Sequence, residues 1–147
     1  MKTRYILSLA LSAAFILTTP VLRADEPKKG AEEHEKGEKT KIPETAEGIL
    51  KAIHTEHGEL KETVAAKKLA DVHHHAFAIR DLAAALPAKA AADKKAAVEA
   101  TSKNIAKLAD ALDKAGDDSN QAGTEAGMKK LEPLLKMLDT QFAAKTK

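Results

Sequence analysis

Cysteine and tryptophan are absent from this 147-residue chain, and aromatic residues make up only 3% of it. Without cysteine there is no disulfide, so stability has to come from packing. The C-x-x-C-H site for covalent haem attachment is excluded as well. With so few aromatics, the core must be assembled from Ala, Leu, Ile and Val, and alanine is the strongest helix former. No stretch alternates apolar and polar residues in the manner of a strand. These absences predict an all-α protein, and the length suits one domain at most.

Enzymatic signatures are missing too. No Gly-rich phosphate loop occurs, and HTEH at 54–57 is not the H-E-x-x-H of a zinc protease. A di-iron bundle needs two Glu-x-x-His motifs. Here the residues three before His54, His57, His73 and His75 are Lys51, His54, Ala70 and Val72. No motif supports a catalytic triad, so the chain reads as non-enzymatic.

What is present begins with residues 1–24, which open on Lys2 and Arg4, run apolar from Ile6 to Leu17 and reach a small residue at Ala24. That is the layout of a secretory signal peptide cut after Ala24. The apolar run falls short of the ~20 residues a membrane span needs. Residues 1–24 hold Lys2, Arg4 and Arg23 and no acid, so their removal leaves 21 basic against 22 acidic residues and turns the formal net charge from +2 to −1. No basic patch remains to attract nucleic acid. No second apolar run follows, so the mature chain is expected to be soluble, periplasmic or secreted, and free of the membrane. Residues 25–43 carry six acids, five bases, Gly30, Gly37 and two prolines, with Ile42 almost alone as an apolar residue. Such a segment buries too little surface to order itself and is predicted to be a disordered linker. His34 within it reads as solvated.

Residues 44–147 are predicted to form the folded part, as four amphipathic segments. The first, roughly 44–66, carries Ala46, Ile49, Ile53, Leu60 and Val64 on one face, with a gap at Glu56 and His57 and Thr45 as a capping residue. The second, roughly 69–86, carries Val72, Ile79, Leu82 and Leu86, with a gap at His75 or Ala76. Asp71 is placed to cap it or to reach His75, and Pro87 ends it. The third, roughly 89–115, carries Val98, Ile105, Leu108, Leu112 and Ala115, stopped by AGDDSN at 115–120. The fourth, roughly 120–144, carries Met128, Leu131, Leu134, Leu135, Leu138 and Phe142, and Pro133 inside it predicts a kink or break. Short connections make neighbours antiparallel, so the expected architecture is an up-down-up-down antiparallel four-helix bundle.

Half of the six histidines stand in a row at 73–75. Successive helical residues are turned by about 100°, so the three cannot all face the bundle. His75 falls on the core stripe, and His73 and His74 fall toward the flanks. A hairpin folded about residues 66–67 puts His57 level with His75, each in the gap of its own stripe. An antiparallel fourth helix brings residue 130, and so Met128, near His57. His54 lies one turn from His57. The predicted metal ligands are therefore His57 and His75, with His54, His73 and Met128 beside them. Imidazole with thioether suits copper first, and imidazole alone suits zinc or nickel. The plainer reading is that these histidines hydrogen-bond each other, Asp71 or Glu56. His73 and His74 are also placed to make a separate surface site with His54.

KKLADVHHHAFAIRDLAAALP at 67–87 and LADALDKAGDDSNQAGTEAGMKKLEPLLKMLD at 108–139 resemble a group of small exported bacterial helical proteins. Most are uncharacterised, and some are associated with heavy-metal handling. The resemblance spans residues 44–142 and identifies no ligand by itself. More distantly, the architecture is similar to the cytochrome b562 and cytochrome c′ bundles, without the haem-attachment cysteines of the latter. The expected function is non-catalytic binding of a transition-metal ion. The alternative is a helical adaptor or stress-response protein that binds periplasmic partner proteins, suggested by its charged helix faces. A third reading is an electron carrier with b-type haem, which the scarcity of aromatics disfavours.

Overall fold

The computed structural model describes residues 39–143. The signal-peptide reading, His34 and most of the predicted linker lie outside those residues. Residues 39–43 carry no helix or strand. Four helices make up the fold, with no strand among the described residues: α1 (Ala46–Ala65), α2 (Val72–Ala85), α3 (Lys95–Asp117) and α4 (Gln121–Phe142). No described helix is long and apolar enough to cross a membrane.

Local chemistry sets the ends. Thr45 holds an extended backbone, and its hydroxyl accepts the amide of Gly48 at 3.0 Å, which satisfies a donor the helix cannot. Asn120 does the same for α4, its side-chain oxygen accepting from Gly123 at 2.9 Å. α1 and α3 end alike. Lys67 and Ser119 take positive φ (58° and 52°). Behind them the amides of Lys68 and Asn120 reach back to the carbonyls of Thr63 and Ala115 at 3.0 and 2.8 Å. These are Schellman turns built on side-chain-bearing residues where glycine is usual. Asp71 precedes α2 without making a side-chain cap, and the turns of 3₁₀ helix at Leu69–Asp71 and Leu86–Ala88 flank that helix.

Two boundaries differ from expectation. α3 starts at Lys95 rather than near 89. The residues between Pro87 and Lys95 are rich in alanine and read as helix, but Lys94 makes no side-chain cap and the segment reverses the chain. α4 runs unbroken through Pro133. Pro133 is exposed, so the carbonyl it leaves unpaired, that of Lys129, lies on the solvent side.

The core is aliphatic. Ile49, Ile53, Leu60 and Val64 of α1 meet Val72, Ile79 and Leu82 of α2, Val98, Ile105 and Leu112 of α3, and Leu131, Leu135 and Leu138 of α4. α3 also buries Ser102, Ala109 and Gly116, which its apolar stripe did not reveal. Gly116 lies against the turn before α2, where a Cβ would stand 2.7 Å from the Leu69 carbonyl oxygen. Ser102 donates to the carbonyl of Ala83 at 2.7 Å, which satisfies its hydroxyl inside the most extensive seam, α2 with α3. The seam between α1 and α4 is the thinnest of the four between neighbouring helices.

Candidate functional site

The α1–α4 register follows from two side-chain contacts, the His54–Asp139 hydrogen bond at 2.9 Å and the Lys61–Glu132 ion pair at 2.8 Å. Position 136 is therefore level with His57, rather than 130 as the loop lengths suggested. Met128 stands about 12 Å further along α4 at 1.5 Å per residue. It is half-buried and packed on the core.

His57 is buried, and its Nε2 has no hydrogen-bond partner. Burial holds its pKa below the usual histidine value. Lys61 pushes the same way, Glu132 opposes and His54 adds a little. Glu132 is itself held below the usual carboxylate range by the hydrogen bond and then the charge of Lys61. The charged groups acting on His57 thus belong to α1 and α4. His57 serves the seam with α4.

His75 serves the other side of α1. Its Nδ1 is 2.9 Å from Oε2 of Glu56 and 3.6 Å from Oε2 of Glu59. One ligand atom from each of these three residues lies within 4.8 Å of the other two, and this is the one such group of three among the described residues. Ala76 takes the fully buried position beside it, which leaves His75 half-buried at the seam. Residues 56 and 57 differ by about 100° around α1, so a neighbour of α2 at 56 leaves 57 turned toward α4.

The remaining candidates go elsewhere. His73 Nδ1 is 2.7 Å from the carbonyl of Ala70, where its N–H donates. Its ring centroid is 3.8 Å from that of the exposed His74. His54 faces Asp139, so the partners of His73 and His54 do not overlap. Glu59 was missed in the sequence. The signal was available, because Glu56 and Glu59 are one turn apart and share a helix face.

One imidazole nitrogen and two carboxylate oxygens form a borderline-hard donor set. At metal–ligand distances of about 2.0–2.1 Å, ligand atoms in a tetrahedral site stand about 3.3 Å apart. The two edges from His75, 2.9 and 3.6 Å, bracket that length, and the edge between the two carboxylates lies within 4.8 Å. Without an ion the same atoms make an ion pair whenever His75 is protonated. Compared with known protein families, curated proteins and solved structures, the chain matches none.

Proposed function

We propose that this chain is an exported, non-catalytic helical protein that binds a transition-metal ion between α1 and α2 through His75, Glu56 and Glu59. The observation that carries the reading is the convergence of these three donors from two helices. The layout of residues 1–24 supports export. The four helices form an up-down-up-down antiparallel bundle in this account. In support, partners on α1 rise in number as those on α4 fall: His54 with Asp139, Lys61 with Glu132, Val64 with Gln121. Copper's particular advantage rested on Met128, which is not in the group of three. Cu(II), zinc and nickel remain suited to the donors.

Calorimetric titration of the metal-free protein with Zn(II), Cu(II) and Ni(II) tests the reading. One ion should bind per chain. His75→Ala should weaken binding by about 100-fold, beyond the usual effect of losing a supporting group. His57→Ala should leave it unchanged within about twofold. Undiminished binding by His75→Ala, or none by the unaltered protein, would overturn the proposal.

A further inference from the structure

We infer that the ion is a divalent cation of the zinc class and that the site leaves a coordination position open to a ligand from solution. This rests on the metal reading above and adds the chemistry of the ion. The donors select it first. Cu(I) favours thiolate and thioether, and this site has neither: the chain has no cysteine, and Met128 belongs to another layer of the protein. Two carboxylate oxygens and an imidazole nitrogen favour Zn(II), Ni(II) or Cu(II) instead.

Coordination number gives the second half. Structural zinc sites are closed by four protein ligands, whereas sites with three keep a position for water or another molecule. Among the described residues the group has three members. They are graded in exposure, from the His75 side chain at 19% to Glu56 at 28% and Glu59 at 54%. An ion held here has protein on the α1–α2 side and solvent beyond Glu59. The open side admits a small anion, or a donor from a second molecule that takes up the ion. Glu59, the most exposed and the farthest from His75, is the ligand that lets go first.

The probe is Co(II), whose visible spectrum reports the coordination shell. Full-length protein is loaded with Co(II) and titrated with azide. The expected result is a visible band from the loaded protein that shifts on azide addition. A Glu59→Gln variant should bind Co(II) and Zn(II) more weakly and release the ion faster to a chelator. Cu(I) should not be retained against a competing ligand. A spectrum indifferent to azide, or retention of Cu(I), would overturn the inference and leave the metal reading standing; an unchanged Glu59→Gln variant would take Glu59 out of the site and overturn the three-donor reading as well. Failure of the unaltered protein to bind Co(II) or Zn(II) would overturn both.

Discussion

His57 faces the seam of α1 with α4 and His75 the seam of α1 with α2, and they are opposite cases. His75 has more partners than burial: two carboxylates reach it at a half-open seam. His57 has more burial than partners: its Nε2 is enclosed with nothing to bond, and its pKa is pushed down. A polar group of the first kind already has its partners gathered around it. One of the second kind costs stability, and its desolvation is not repaid. The contrast extends to the seams. The interior of the α2–α3 seam is aliphatic and its buried Ser102 is satisfied, while Arg80–Asp110 at 3.8 Å crosses only the exposed edge. The α1–α4 seam is crossed by the half-exposed contacts His54–Asp139 and Lys61–Glu132, and the buried Oε1 of Gln121 on α4 lacks a partner.

The largest effect should come from the aliphatic side: Ile105→Ala removes a fully buried side chain and should cost about 2–5 kcal/mol in urea unfolding. His57→Leu should stabilise the protein by about 1–3 kcal/mol, because an enclosed polar atom with no partner is replaced by an apolar one. A loss of stability there would mean that Nε2 has a partner, such as a buried water.

Acid should separate the same histidine from the rest. The folded state holds the His57 pKa below 6.5, the ordinary value. Above that value both states are neutral there, and its contribution is fully present. As the pH falls below about 6.5 the unfolded chain takes up the proton first, so stability is lost until the lowered folded value is reached. His57→Leu should remove this part of the pH dependence when unfolding is followed in chelator-treated protein. The smallest effect belongs to Lys61→Met. It breaks an exposed ion pair that contributes about 0–1 kcal/mol.

Much of the fold was legible in the sequence. Thr45 as a cap, Pro87 as a stop and the stripes of α1 and α4 follow from local rules that the tertiary structure does not override. The start of α3 was not legible, because alanine favours helix wherever it stands and nothing in residues 89–94 announces a reversal. The unbroken α4 depended on which side of the helix Pro133 faces. The group of three donors was legible in half. A hairpin folded about 66–67 correctly pointed from His75 to this level of α1. The register came out one residue away, and one residue on a helix is a rotation of about 100°. That rotation exchanges His57 for Glu56, and with it a nitrogen donor for an oxygen donor. Glu59 follows once Glu56 is in place. Periodicity measures rotation only as well as the loop between two helices is known, and the Schellman turn at Lys67 was not foreseen.

The central claim is where a metal ion goes, and the anomalous signal of a crystal grown with Zn(II) reads it directly. One peak is expected between α1 and α2, about 2.0–2.2 Å from Nδ1 of His75 and from carboxylate oxygens of Glu56 and Glu59. A peak on His57, His54 or the His73–His74 pair with none at His75 would contradict it.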